Sequence, residues 1–392
     1  MFARCPIRAP CSLKHGLHSS SLKAAGRAYS STTEQSHEPP NARNSFRSNP
    51  TTRNFLSGLS IGLCLAVGWW AYDTYNQRDP FTAYSLVAKE PVSSTASIFH
   101  LQPKSKARDL ELYKDAWKKG IWNVQFKQPQ LQIVRAYTPL PPSDESTGQE
   151  KGELRFLIRR DPHGEVSSYL HKLSTGAEIA MRGPYLEYEL TPEVRQIVFF
   201  AGGTGIAPAL QVAHTLFEGD KNDPSKKEKK LHILWANRTR DDCLGGVSDA
   251  PPDTALPPKP TWSGLFSSPK SKPKSTPPPS HEKGLIVKDL ENLKQKYPGQ
   301  VTVEYYVNAE DTWIDEDAVF RALARFDDKI FSTSPAGLQD QRQILISGPP
   351  GFIAYLAGPK EWRNGREEQG SVSKLVAHAL SRHPHNVKVW KI

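Results

Sequence analysis

Cysteine is scarce in this chain of 392 residues, with only Cys5, Cys11, Cys64 and Cys243. That excludes a disulfide-built scaffold, and no CxxC or finger-type spacing offers a zinc site. Acidic residues are missing from residues 1–33, which hold five basic residues and six serines. Lys14 and Lys23 break any apolar run there, which argues against a secretory signal. The composition is that of a mitochondrial transit peptide. Arg27-Ala28-Tyr29-Ser30 carries Arg two residues before a cut after Tyr29, so residues 1–29 are read as the peptide and 30–54 as a linker. A basic stripe on a folded region is also lacking. The net charge is +10, but half of the excess falls in residues 1–79, so no nucleic-acid partner is expected. Charges are absent once more from Phe55 to Tyr72, FLSGLSIGLCLAVGWWAY. As a helix this stretch spans about 27 Å, close to the ~30 Å of a bilayer core, with Trp69, Trp70 and Tyr72 at an interface. Residues 55–72 are therefore read as a transmembrane helix. Arg43, Arg47 and Arg53 precede it, whereas Asp73, Arg78 and Asp79 follow. The positive-inside rule then predicts a single-pass inner-membrane protein with residues 73–392 in the intermembrane space.

What remains has apolar material enough for real cores, with 15 Phe, 13 Tyr and 9 Trp. From Phe81 short β-branched runs alternate apolar and polar residues: 81–103, 121–126, 131–140, 153–160 and 178–184. Turn clusters separate them, and one helix is expected near Ser167–Lys172. This pattern predicts a small antiparallel β-barrel over 81–190. After Thr191 the order becomes strand–helix–strand. QIVFFAGG (196–203), LHILWAN (231–237), VTVEYYV (301–307) and QILISGPP (343–350) read as buried strands, with helices at 208–218, 285–297, 314–326 and 371–382. That predicts an α/β parallel-sheet domain over 193–392. Residues 245–283, rich in Pro, Ser and Lys, read as a disordered insertion.

Four segments carry candidate chemistry. Gly202-Gly203-Thr204-Gly205-Ile206-Ala207-Pro208 follows a strand and opens a helix, where glycines let backbone approach a pyrophosphate; a plain strand-to-helix link is the alternative. Ser347-Gly348-Pro349-Pro350-Gly351 also ends an apolar strand, so both turns can face one crevice. Arg135-Ala136-Tyr137-Thr138 ends a barrel strand; Arg can fork onto phosphate, and Tyr can stack on a flat ring. Arg135 and Tyr137 alternate, so they share a face. Gly164-Glu165-Val166-Ser167-Ser168 leads into a helix and makes a second phosphate-compatible N-terminus. After the second α/β strand come Arg238, Arg240 and Asp242, whose signs conflict at the place where a ribose is read. His383-Pro384-His385 has no acidic or cysteine partner, and no metal site is expected. Nothing beside Cys243 except Arg240 would depress its pKa.

RAYT, GEVSSYL, RGP, GGTGIAP and SGPPG, in that order over 81–392, resemble the ferredoxin–NADP reductase superfamily and, within it, the cytochrome b5 reductase branch. The resemblance implies FAD on the barrel and NADH or NADPH on the α/β domain. By the same resemblance Arg135 and Ala136 bind FAD, Tyr137 packs on its ring and Thr138 contacts the ring near N5. Val166 and Ser167 cap the pyrophosphate. Gly202, Gly203, Thr204, Gly205 and Pro208 cradle the nicotinamide nucleotide, Asp242 stands where the branch carries an NADH-favouring acid, and Gly348 and Pro349 line the nicotinamide side. Tyr137, Thr138 and Ser347 are the candidate catalytic residues, Ser347 standing where the branch usually has Cys. With its presequence and single span, the chain is similar to fungal mitochondrial flavoproteins implicated in haem reduction before haem attachment to cytochrome c. The implied acceptor is haem or a haem protein, with the cytochrome c/haem lyase machinery and the inner membrane as partners. NADH–cytochrome b5 reductase and an assembly scaffold with a vestigial flavin site are the rival expectations.

Overall fold

The computed structural model describes residues 80–104, 109–142, 152–218, 224–249, 282–326, 341–363, 365–382 and 387–392, all within one compact unit, Ala71–Ile392. The transit peptide, the linker, the Phe55–Tyr72 span and the His383–His385 pair lie outside the described residues. Among the described residues no helix is long and apolar enough to cross a membrane.

Six antiparallel strands form the first half: β1 (Thr82–Pro91), β2 (Ala96–Pro103), β3 (Gly120–Gln128), β4 (Ile133–Tyr137), β5 (Leu154–Arg159) and β6 (Glu178–Glu189). Their order is β4-β3-β6-β1-β2-β5. The sheet curls until Leu140, just past β4, donates its N–H to the Arg155 carbonyl on β5 at 2.7 Å. The two edges thereby meet at one bridge, which draws the sheet toward a barrel. Inward residues such as Tyr84, Phe99, Trp122, Val124, Phe126 and Phe156 are fully buried.

Two helices accompany the barrel: α1 (Asp109–Lys119) and α2 (Glu165–Lys172). The α1 helix is absent from the sequence reading above. It is a charged segment, and among its described side chains the anchors are Tyr113, Ala116 and Trp117, at i, i+3 and i+4 spacing. Tyr113 stacks on Trp122, and Trp117 meets Trp122 edge to face. That narrow aromatic seam holds a helix that its average composition disguises.

The second half is a parallel sheet of β13 (Lys388–Lys391), β10 (Arg342–Ser347), β7 (Gln196–Gly202), β8 (Lys230–Asn237) and β9 (Val301–Val307), in that order. Alternate β7 residues face opposite layers. Ile197, Phe199 and Ala201 join the core that includes α3 (Ile206–Glu218) and α4 (Leu285–Lys296). Val198 and Phe200 join the core that includes α5 (Glu316–Leu323), α6 (Pro350–Ala357) and α7 (Lys374–Arg382). Burial on both faces is why these strands read as unbroken apolar runs. The α6 helix and a short hairpin, β11 (Glu361–Arg363) with β12 (Arg366–Glu368), are likewise additions to the sequence reading.

The ends of the presumed insertion are not disordered. The Asp249 N–H donates to Val303 O at 3.0 Å, its carboxylate accepts from Val303 N–H at 2.7 Å, and Lys294 Nζ lies 2.6 Å away. Residues 245–249 thus dock along β9, and Gly284 bonds back to Leu244. The composition of 250–281, which lies outside the described residues, masked this edge.

The halves are bonded as well as packed. Gln211, fully buried on α3, accepts from the Trp122 N–H at 3.0 Å and donates to Pro139 O at 3.0 Å. It therefore ties the α/β half to the chain just beyond Arg135–Thr138. Arg155 reaches Asp289 at 3.1 Å, and Tyr188 donates to Gln343 at 2.9 Å.

A buried polar cluster sits between β8 and β9. Glu304 accepts from Arg325 at 3.0 Å and from Tyr306 at 2.6 Å, with His232 Nε2 at 3.3 Å. Burial alone would raise the Glu304 pKa, but the His232 and Tyr306 hydrogen bonds and the Arg325 charge outweigh it and hold it at about 2. Burial depresses His232 below its ordinary value. Both groups titrate lower folded than unfolded, so both contribute stability at neutral pH that is lost as pH falls. The melting temperature is expected to drop below about pH 6.5 and again between pH 4.5 and about 2. Glu304→Gln should shrink the second fall in a melting-temperature–pH profile, leaving the share of Glu218 and Glu310, which are also held below the usual carboxylate range; an unchanged profile would show that this carboxylate is not linked to unfolding.

Candidate functional site

Strands β7, β8, β9 and β10 all end on one side of their sheet, and a cavity of about 330 Å³ opens there. Gly202, Gly203 and Thr204 form one wall, and Pro349 and Phe352 another. The two glycine-rich turns converge because β7 and β10 are neighbours, with Ala201 opposite Ser347. Their contact leaves no room for side chains. A Cβ on Gly348 would fall 3.0 Å from the Gly202 Cα, and one on Gly202 would fall 2.8 Å from the Phe352 ring. Gly203 has φ +54°, and its carbonyl accepts from Trp235 Nε1 at 2.9 Å. The turn is thus held open from below with its N–H groups at the head of α3.

Asn237, only 4 % exposed, also lines this cavity; apart from the neighbouring Cys243 thiol, its amide has no hydrogen-bond partner among the described residues. A largely unsatisfied buried amide beside a glycine cradle fits a ligand rich in hydroxyl and phosphate oxygens. Arg159 enters from β5 of the barrel, its guanidinium 3.7 Å from where a Gly203 side chain would start. The barrel therefore reaches the nucleotide crevice directly.

On the barrel, Arg135 lies opposite Phe126 and Tyr137 opposite Val124, so both side chains share one face, as their alternation predicts. Ala136 pairs with Gln125 on the other face, and Thr138 follows, half-buried. Arg135 is exposed and touches only the Val134 carbonyl, at 3.0 Å, among the described residues. Tyr137 packs on Phe126, ring centroids 4.9 Å apart. Burial pushes its hydroxyl up to about 12 against the opposing Arg135 charge, so it stays protonated and acts as a donor.

The α2 helix packs beside β3 and β4, and no side chain caps it. The first-turn N–H groups of Glu165, Val166 and Ser167 are not used by the helix. The Val166 side chain belongs to the barrel core. The Ser167 hydroxyl accepts from Asp161 N–H at 3.1 Å and donates to Gly164 O at 3.2 Å. Both residues thus offer a phosphate their backbone, while the Ser167 side chain builds the turn. A guanidinium, an aromatic ring and an uncapped helix start together fit a flavin dinucleotide.

Three expectations need correction. Ser347 is 6 % exposed and is not among the residues that line the cavity; it ends β10 with its backbone carbonyl beneath the Gly205 turn. Asp242 is equally buried and absent from the cavity wall, because its Oδ2 lies 2.6 Å from Arg159 Nη2. Gly205 and Pro208 are buried in the β7–α3 joint and serve the cradle by packing. Cys243 is buried, and burial pushes its thiol up to about 11 despite Arg240, so no thiolate forms near neutral pH. Sequence reasoning passed over Arg159, Trp313 and Tyr355 as cavity residues; Asn237 and Phe352 had a signal, standing at the ends of the segments after β8 and β10. A larger hollow of about 870 Å³ beside α1 contains none of the motif residues. Among the described residues no cluster of His, Cys, Asp or Glu is suited to a metal.

Comparison with known proteins agrees with this geometry. Residues 83–190 match the oxidoreductase FAD-binding domain, and residues 199–246 the oxidoreductase NAD-binding domain. The chain is 24 % identical to an NADH-cytochrome b5 reductase 2 of Meyerozyma guilliermondii over 62 % of this chain and 64 % of that one. It is 33 % identical to an uncharacterized FAD-binding protein of Schizosaccharomyces pombe, over 41 % of this chain and 57 % of that one. A weaker likeness, TM-score 0.49 at 18 % identity over 79 % of this chain and 97 % of the other, joins it to the cytochrome b5 reductase domain of Ulva prolifera nitrate reductase. The chain spans under two thirds of the length of the first curated relatives it matches. A curled antiparallel sheet that matches the FAD-binding domain is thus followed by a parallel sheet that matches the NAD-binding domain, a two-domain arrangement similar to that of the ferredoxin–NADP reductase family.

Proposed function

We propose that this chain is an FAD-dependent NAD(P)H oxidoreductase that delivers electrons singly to haem iron. The observation that carries this reading is the convergence of both glycine-rich turns on one cavity into which the barrel projects Arg159. The chemistry a bound flavin supplies is two-electron uptake from a nicotinamide and one-electron release to a metal centre. Arg135 holds a flavin phosphate, the α2 N–H groups hold the pyrophosphate, and Tyr137 with Thr138 sets the ring. The Gly202–Gly205 turn and Pro349 position the nicotinamide nucleotide. No side-chain acid or base is needed; placement of the two rings sets the rate.

Relatives named as cytochrome b5 reductases support a haem-protein acceptor. The finer reading, haem reduction during cytochrome c maturation in the intermembrane space, rests on the acid-free residues 1–29 and the uncharged residues 55–72. Full-length protein should purify yellow, and in anaerobic stopped flow its flavin should be reduced by NADH or NADPH and reoxidised by haem. Faster reoxidation by cytochrome b5 than by haem would favour the b5-reductase reading. A folded, colourless protein would favour the scaffold. In intact mitochondria the catalytic part should resist protease until the outer membrane is ruptured; digestion before rupture would remove the inner-membrane reading.

A further inference from the structure

We propose that the hollow beside α1 is a second ligand site, separate from the nucleotide cavity, and that it takes a single-chain fatty acid: an apolar tail with one carboxylate head. Its volume of about 870 Å³ lies within the roughly 300–1,000 Å³ of small-molecule sites, which favour domain boundaries. This hollow lies at such a boundary. Tyr113, Trp117 and Leu154 wall it from the barrel half, and His214, Leu216 and Glu218 wall it from α3 of the α/β half. The two walls are fixed to each other. The Thr215 hydroxyl bonds the Trp117 carbonyl at 3.2 Å, and the Trp117 ring meets His214 edge to face at 5.2 Å. The α3 helix leaves the glycine cradle and ends here, and its 13 residues put about 20 Å between the two cavities.

The lining joins an apolar floor to a cationic rim. Leu154, Leu190 and Leu216 are buried in it. On α1, Tyr113 and Trp117 stand one turn apart, as do Lys114 and Lys118 beside them. The two rings are buried or half-buried, and the two lysines are exposed. Lys226 and Lys229 bring the lysines of the lining to four. The described lining sets two carboxylates against them, and groups outside the hollow already engage both. Glu153 lies 2.6 Å from His100 Nδ1, while Glu218 accepts from Tyr297 at 2.9 Å and pairs with Lys296. The Thr191 hydroxyl, also in the lining, is shielded from solvent and has no hydrogen-bond partner among the described residues. A carboxylate head gives that hydroxyl an acceptor and the lysines a counter-charge. The tail covers the leucines and rings. A bare anion would leave that floor uncovered, and a neutral chain would leave the rim unmatched.

Photolabelling of full-length, FAD-loaded protein in nanodiscs with a diazirine analogue of decanoate, read by peptide mass spectrometry, tests this. Label is expected in the peptides that carry residues 113–118 and 214–229. Decanoate should compete at least about tenfold better than decanol, the ratio expected of a charge-assisted contact, and acetate should not compete. Adenosine 5′-monophosphate should leave the label unchanged, since the nucleotide cavity lies at the other end of α3. Lys114→Glu with Lys118→Glu, both on the exposed flank of α1, should cut the label about tenfold, since like charges repel where opposite ones attract. Flavin absorbance and a circular-dichroism melt check that this variant folds; if it does not, the competition series on the wild type decides. Equal competition by decanol would overturn the assignment. So would label found only in other peptides, label displaced by adenosine 5′-monophosphate, or full labelling of a folded double variant.

Discussion

Gly205→Ala is expected to cost about 3 kcal/mol or more, at or beyond the upper end for overpacking a core, and to lower the melting temperature by roughly 6–12 °C. The added Cβ would lie 2.3 Å from the Ser347 carbonyl oxygen and 2.6 Å from its carbon. Those are backbone atoms of β10, held in register against β7, so relief requires breaking that ladder. Gly203→Ala, two residues away, should behave differently. Its φ of +54° imposes strain of roughly 1–2 kcal/mol, but the nearest atom to the new methyl is the flexible end of Arg159, at 3.7 Å. That variant should fold, keep flavin and bind nucleotide more weakly. Circular-dichroism melts with nucleotide titrations separate the two. If Gly203→Ala melted lower than Gly205→Ala, close backbone approach would not be what those glycines serve.

Arg135→Ala is expected to lower flavin affinity about ten- to a hundredfold, since a charge-assisted contact is worth roughly 1.5–3 kcal/mol. The side chain is exposed and bonds only to its neighbour's carbonyl among the described residues, so the apoprotein should melt within a degree or two of wild type. Protein should therefore purify with less FAD, and added FAD should partly restore reduction by NAD(P)H. Full flavin retention would remove Arg135 from the phosphate site. A large fall in apoprotein stability would mean that its role is structural.

The readable parts of this protein share one property: their signal is local. QIVFFAGG and QILISGPP announce buried strands ending in tight turns, because burial on both faces forces apolar runs and close backbone approach forces glycine. RAYT shows its shared face because strand alternation has period two. The α1 helix was harder, since Tyr113, Ala116 and Trp117 anchor it through a partner, Trp122, that lies on the following strand.

By itself the sequence determined the barrel-then-α/β order, the two glycine turns and the family they point to, because each follows from neighbours along the chain. Only the tertiary structure decided which charges are available to a ligand. Asp242, Arg240 and Arg238 are nearly equivalent as letters. They diverge because Arg159 comes from the barrel to neutralise the first, Glu310 comes from beyond β9 to hold the second, and no described residue reaches the third. Gln211 likewise bonds the RAYT segment to a helix of the other half. A charge is committed by its partner, and partners distant in sequence meet only when the sheets close and pack.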